Sequence, residues 1–144
     1  SVPSPLTGSI EIHSGYGGLP DVGTQIHQEI QGRRQQELVG YEVEKWVTRD
    51  FSRSGHTISV SGRMDGFVAG DPDWIEEIKS AYNVEKLLEK ISSNGIDHPY
   101  RRQLLTYGYF LWLETGKIPE LSFCAVCSRT KTQTRVVIEF DAKE

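Results

Sequence analysis

Asp65, Glu77 and Lys79 are the residues whose types and spacing could do chemistry together. Asp65 lies in Gly62-Arg63-Met64-Asp65-Gly66-Phe67, and Glu77 and Lys79 lie in Trp74-Ile75-Glu76-Glu77-Ile78-Lys79. The linker Ala69-Gly70-Asp71-Pro72-Asp73 is dense in residues that set φ and form Asx turns, so the two runs read as an antiparallel hairpin with Asp71 at its midpoint. Closed symmetrically, that hairpin sets Asp65 opposite Glu77, where side chains sharing a face have Cβ atoms roughly 5 Å apart. Side chains alternate along a strand, so Lys79 joins Glu77 on one face, while Ile78 points away and leaves its carbonyl near the pair. Two carboxylates that close raise each other's pKa unless a cation sits between them. Carboxylate, carbonyl and water oxygens suit hard divalent ions such as magnesium or manganese, with coordination positions left for a phosphate. The same residues also fit an exposed hairpin with a cross-strand Glu–Lys pair.

Three further groups bear on that pocket. Pro20 can open a helix through Asp21-Val22-Gly23-Thr24-Gln25-Ile26-His27-Gln28-Glu29-Ile30 to about Glu37, with Val22, Ile26 and Ile30 recurring at four-residue steps. His27 lies four residues after Gly23 on its face and could reach a neighbouring site; a lone helical histidine also fits a polar surface. Asp97-His98-Pro99 opens an apolar helix running to Leu113, on which Gln103 and Tyr107, four apart, offer an amide and a phenol to one target. The alternative there is a core tyrosine beside a surface glutamine.

The elements that must position these groups follow from pattern. Tyr41 to Val47 and His56 to Ser61 form a hairpin around Ser52-Arg53-Ser54-Gly55, and Glu44 on its first strand fits a charge pair better than a site role. Asn83 caps a helix with an apolar stripe of Val84, Leu87, Leu88 and Ile91, ended by Asn94-Gly95. Strands near Leu121 to Cys127 and Arg135 to Phe140 close the chain, with a turn at Arg129-Thr130-Lys131. Residues 1–19, with Pro3, Pro5 and the glycines around Tyr16, show no sustained period and read as a loosely held lead-in to a domain over 20–144.

The 144 residues fit one domain with a real core. No run of about 18 apolar residues occurs and the first residues lack a signal-peptide pattern, so a soluble, intracellular, cytoplasmic protein without membrane contact is expected. The net charge of −4 argues against a constitutive nucleic-acid coat, although Arg33-Arg34, Arg101-Arg102 and Arg129 with Lys131 and Arg135 could meet phosphates once gathered. Cys124 and Cys127, three apart on a strand, face opposite sides, chelate poorly, and read as structural thiols.

Taken together, Gly23 to His27, Gly62-Arg63-Met64-Asp65, Glu77-Ile78-Lys79 and Gln103 to Tyr107 stand in the order of the motifs of the RecB-like branch of the PD-(D/E)xK nuclease superfamily, which the chain resembles. Within it the chain looks like the nuclease region fused to iron–sulfur DNA helicases of superfamily 2. Glu77 stands where RecB has aspartate, and the four cysteines that hold an iron–sulfur cluster in some relatives are absent, so no cluster is expected. The resemblance implies an α/β (α+β) restriction-endonuclease-like core, a mixed sheet flanked by helices in the order α-β-β-β-α-α-β-β. It implies magnesium- or manganese-dependent hydrolysis of DNA, single-stranded or at frayed ends, in repair or replication. Asp65, Glu77, the Ile78 carbonyl and His27 would hold one or two ions, and Lys79 would act on the attacking water or the phosphorane. Gln103 and Tyr107, with Arg101 and Arg102 nearby, would orient Lys79 or the DNA. A helicase in the same or another chain is the implied partner. A nuclease fold kept for binding DNA ends or coupling to a helicase, with little turnover, is the rival.

Overall fold

The computed structural model describes residues 7–12, 22–93 and 98–139. The element order is β1 (Thr7–Ile12), α1 (Val22–Glu37), β2 (Tyr41–Arg53), β3 (His56–Val68), β4 (Trp74–Ala81), α2 (Val84–Ser93), α3 (Pro99–Thr115), β5 (Glu120–Cys127) and β6 (Gln133–Ile138). This is the expected α+β order, with β1 added ahead of it. That strand corrects the reading of 1–19 as lead-in throughout: Thr7–Ile12 pairs in parallel with Thr57–Gly62 of β3. Prolines and glycines on both sides leave too short an alternation to register as a strand from sequence. Pro20, Asn94-Gly95, Asp97 and Phe140 lie outside the described residues.

The six strands form one mixed sheet, ordered β1-β3-β4-β5-β6, with β2 along the other edge of β3. β2 and β3 form one long hairpin. Ser54 and Gly55 both take positive φ at its tip, 55° and 78°, as a two-residue turn matched to strand twist requires. β4 and β5 run parallel, so a crossover must join them, and α2 and α3 supply it. The Asn83 side chain caps α2 by accepting from the Lys86 N–H at 3.1 Å, and His98 caps α3 by accepting from the Tyr100 N–H at 3.2 Å.

Each face of the sheet has its own apolar layer. Ile26 and Ile30 of α1 pack on Ile78, Cys124 and Val126. On the other face Ile91, Leu104, Tyr107, Phe110 and Leu111 pack with Val47, Met64, Phe67, Ile75, Leu121 and Phe123. Full burial of such a side chain is worth about 1.5–3 kcal/mol, so this larger layer supplies most of the cohesion. β4 is the central element. Its alternation sends Ile75 into the α2–α3 layer and Ile78 into the α1 layer, so the adjacent acids Glu76 and Glu77 must point to opposite faces.

Candidate active site

β3 changes partners along one edge. Thr57–Gly62 pair with β1, and Gly66, Phe67 and Val68 pair with Glu76, Ile75 and Trp74 of β4. Arg63, Met64 and Asp65 fall in the gap between the two. On the opposite edge, the β2 ladder has Val43 with Gly66 and Lys45 with Met64 but skips the intervening Glu44 and Asp65. Glu44 there takes φ 55°, a conformation that a non-glycine residue adopts at a cost and that clusters at functional sites.

The Asp65 peptide is thereby released to other partners. Its N–H donates to Glu77 Oε1 at 3.2 Å, its carbonyl accepts from Gln31 Nε2 at 2.9 Å, and its carboxylate Oδ2 accepts from the Ile78 N–H at 2.8 Å. Two carboxylates thus replace ladder bonds where the strands part, and this fixes Asp65 beside Glu77. Both are deeply buried, at 3% and 0% exposure. Glu77 Oε2 accepts no hydrogen bond, and its nearest cation is Lys79 Nζ at 3.9 Å. Burial, then the Asp65 charge, push the Glu77 carboxyl well above its ordinary value despite Lys79. One ammonium thus stands beside two buried carboxylates and does not offset both.

Lys79, 6% exposed, is held from α3. Its ammonium donates to Gln103 Oε1 at 3.4 Å and lies 4.3 Å from the centre of the Tyr100 ring. Gln103 Nε2 donates to the Tyr107 hydroxyl, which donates to the Arg63 carbonyl, each at 3.1 Å. The i, i+4 pair on α3 therefore links β4 to β3 across the gap. Burial, then Glu77, raise the Tyr107 phenol, so it stays protonated and able to donate.

The structure brings together Asp65, Glu77, Lys79, Gln103 and Tyr107. Ile78 joins through its N–H, whereas sequence had pointed to its carbonyl. His27, half-buried on α1, does not complete a three-ligand cluster with the two acids: no group of three or more His, Cys, Asp and Glu side chains suited to a metal occurs among the described residues. Arg101 and Arg102 sit in the first turns of α3, half-buried and exposed respectively. Glu44 pairs with Arg63 at 3.8 Å.

Sequence reasoning missed Gln31 and Tyr100, and placed Gly62 in a motif without giving its physical reason. Gln31 was legible in principle, one helical turn beyond His27. Gly62 has a steric reason: a Cβ there would lie 2.3 Å from Tyr107 Cε1, so only glycine lets the phenol reach the Arg63 carbonyl. Also missed was a network on the opposite face. Glu76, 1% exposed, accepts from Arg34 Nε at 3.1 Å and from the Tyr41 hydroxyl at 2.9 Å, and Arg34 also donates to Gln133 Oε1 at 3.1 Å.

No family model and no curated protein matches the sequence. Solved structures share its fold, two of them as follows. One, SSO0001, superposes with a TM-score of 0.57 at 14% identity, over 85% of this chain and 53% of its own. The other, named "Putative exonuclease", from Eubacterium rectale, gives 0.51 at 12% identity, over 81% of this chain and 45% of its own. The chain thus spans about half the length of each, and the likeness is one of fold. No helix among the described residues is long and apolar enough to cross a membrane.

Proposed function

We propose that the chain is a metal-dependent deoxyribonuclease of the RecB-like PD-(D/E)xK type, hydrolysing phosphodiester bonds of single-stranded or frayed DNA, with a helicase, in the same or another chain, delivering the strand. The observation that carries this is the orphaned Glu77 Oε2, buried beside a second carboxylate with an ammonium 3.9 Å away. A fully buried acceptor without a donor fits a hard divalent cation, and so do the oxygen-only groups around it. Asp65 and Glu77 would hold magnesium or manganese, with the Ile78 carbonyl and water oxygens as further ligands; His27, which does not complete a cluster with the two acids, would stay outside this set. When bound, such an ion polarises a phosphate and acidifies a coordinated water.

The protein's own groups do the rest. Lys79 is a compact cation in a low-dielectric pocket, placed to stabilise charge developing on the scissile phosphate. Gln103 accepts one of its protons and so aims the ammonium, and Tyr107 fixes Gln103. The absence of cysteines beyond Cys124 and Cys127 supports a domain without an iron–sulfur cluster.

The resemblance in fold to a protein named as an exonuclease is compatible with this reading. The depth of the site favours the alternative, a nuclease fold that binds DNA ends or couples to a helicase with little turnover. One experiment separates them: end-labelled single-stranded and duplex DNA incubated with the protein in manganese or in EDTA. Manganese-dependent cleavage, lost in Asp65→Ala and Glu77→Ala, is expected. Binding without cleavage at any metal concentration refutes the hydrolase.

A further inference from the structure

The buried ammonium of Lys79 is pulled from two sides. Its Nζ lies 3.9 Å from Glu77 Oε2, beyond the about 2.7–2.9 Å of a charge-assisted hydrogen bond, and that oxygen accepts from no donor. Glu77 and Lys79 are two residues apart on one face of β4, so a small rotation of the flexible lysine stem would close the distance. Burial of both groups strengthens the attraction, because a low-dielectric pocket screens a charge pair weakly. The separation therefore needs an opposing hold on the ammonium.

That hold comes from the first turns of α3. Gln103 Oε1 accepts from Lys79 Nζ at 3.4 Å, a long contact, whereas the ring centre of Tyr100 lies 4.3 Å from the same nitrogen. This is well inside the roughly 6 Å over which a π face attracts a cation, and desolvation strengthens the attraction. The Tyr100 ring packs against the larger core layer and is itself fixed. Pro99 presets the backbone at the start of the helix, His98 Nδ1 accepts from the Tyr100 N–H at 3.2 Å, and the imidazole meets the phenol edge-on with ring centres 5.0 Å apart. The chemistry of the holder matters. A carboxylate in place of Tyr100 would bind the lysine but add a third anion and a competing metal ligand, while a ring face attracts the ammonium without coordinating a hard ion.

We propose that Tyr100 is a positioning residue whose ring face holds the Lys79 ammonium off Glu77 Oε2, keeping that oxygen open to a divalent cation and the ammonium free for a phosphate. The assignment deepens the nuclease reading and rests on it for the cation, while the hold on Lys79 is testable without metal or DNA. Gln103 aims the ammonium; Tyr100 keeps it from collapsing onto the carboxylate.

The test reads the lysine first and the metal second. In EDTA without DNA, proton–carbon spectra of lysine-labelled protein should show the Lys79 ε-methylene upfield of ordinary lysines, shielded by the ring, in the parent and in Tyr100→Phe. In Tyr100→Leu it should return to the ordinary position; Lys79→Ala assigns the signal. In calorimetric titrations, Tyr100→Leu should weaken manganese binding about tenfold, as loss of one desolvated cation–π contact implies, and Tyr100→Phe should stay within about threefold. Trifluorophenylalanine in place of Tyr100 keeps a ring of nearly the same shape but drains its π face, so it should weaken binding as leucine does. Adding Lys79→Ala to Tyr100→Leu should bring manganese affinity to within about threefold of Lys79→Ala alone, because no ammonium remains to occupy Glu77 Oε2. A mere packing role would not be relieved by removing the lysine. A circular dichroism melt confirms that each variant folds, and the fluorinated ring keeps the test decisive where leucine disturbs the start of α3. An unshielded Lys79 in the parent, unchanged manganese affinity in Tyr100→Leu and the fluorinated variant, or a loss that Lys79→Ala does not relieve overturns the proposal. Manganese binding and cleavage that survive in Tyr100→Leu remove the positioning role and leave the nuclease reading standing. A parent that binds no manganese overturns the nuclease reading, and the lysine spectrum then upholds or refutes the hold on Lys79 by itself.

Discussion

Replacing Gly62 by alanine should cripple Lys79 without touching it. The added Cβ would lie 2.3 Å from Tyr107 Cε1 and 3.2 Å from Cδ1 and Cζ, against an ordinary carbon contact of about 3.5–4.0 Å, so the ring must move by about 1 Å or more. Tyr107 is fully buried, so it cannot swing into solvent. Its two hydrogen bonds, from Gln103 and to the Arg63 carbonyl, are already 3.1 Å long, and such a displacement carries them past useful geometry. Overpacking costs about 1–3 kcal/mol, and alanine in place of a strand glycine returns about 0.5–1, so the net loss is about 0.5–2.5 kcal/mol. The fold survives that, with a melting temperature lower by several degrees. Catalysis should suffer more, because misplacing a positioned group by about 1 Å costs on the order of a hundredfold. The assay is single-turnover cleavage of single-stranded DNA beside a thermal melt and manganese titration calorimetry. The variant should keep manganese affinity within about threefold, since the clash reaches neither carboxylate, and lose about a hundredfold in rate. Gly62→Ala with Tyr107→Leu should recover stability but not rate, since the clash is relieved and the hydroxyl is gone. A Gly62→Ala protein that melts and cleaves like the parent refutes the linkage from Tyr107 through Gln103 to Lys79.

Three other outcomes follow from the same geometry. Lys79→Ala should lower the cleavage rate by on the order of a hundredfold or more while DNA affinity holds, read as a fall in kcat without a matching rise in KM; equal loss in both assigns Lys79 to ground-state binding. In EDTA, burial and the Asp65 charge hold the Glu77 carboxyl well above its ordinary value, so above about pH 4.3 the folded state retains a proton that the unfolded chain releases, and stability falls as pH rises through that window. Melts from pH 5 to 7 should therefore show a fall that Glu77→Gln flattens, and an equal slope in both proteins contradicts a pocket in which one ammonium stands beside two buried carboxylates. Hydrogen bonds from Thr130, with help from Arg129, bring the Cys127 thiol down to about 7, whereas burial takes Cys124 up to about 11. Iodoacetamide at pH 7.5 should label Cys127 first and Cys124 only on unfolding, and the Cys127 rate should rise through pH 7; the opposite order would misplace β5.

The hairpin register was legible because its signals agree. The linker centres on Asp71, and the observed pairs, Gly66 with Glu76 and Val68 with Trp74, are symmetric about that residue. The i, i+4 spacing of Gln103 and Tyr107 likewise sufficed to put them on one side of α3. Three features were illegible for physical reasons. The positive φ of Glu44 is imposed by tertiary context on a residue with no preference for it. β1 has no local pattern strong enough to stand alone and depends on the edge of β3. The depth of the site arises from the α2–α3 crossover, whose packing over β4 depends on partners far apart in sequence.

The network on the opposite face explains why the gap opens where it does. Glu76 pairs with Gly66 in the last rung of the β3–β4 ladder, and its carboxylate is tied to Arg34 of α1 and Tyr41 of β2. Gly66 must lack a side chain, since a Cβ there would overlap the Tyr41 hydroxyl. A buried ion pair of this kind contributes little net stability relative to an apolar replacement, yet breaking it leaves a buried charge uncompensated at about 3–5 kcal/mol. Its effect is positional: α1, β2 and β4 are pinned to one another at the rung adjoining Asp65 and Glu77. One face of β4 thus fixes where the ladder ends, and the other face carries the acids that span the gap beyond it. Glu76→Gln should accordingly destabilise the fold while leaving manganese binding intact, whereas Glu77→Gln should abolish manganese binding along with cleavage and spare the fold. Calorimetric manganese titrations of the two variants, run beside their melts, decide it: equal loss of manganese binding in both would mean that the two faces of β4 are not separable.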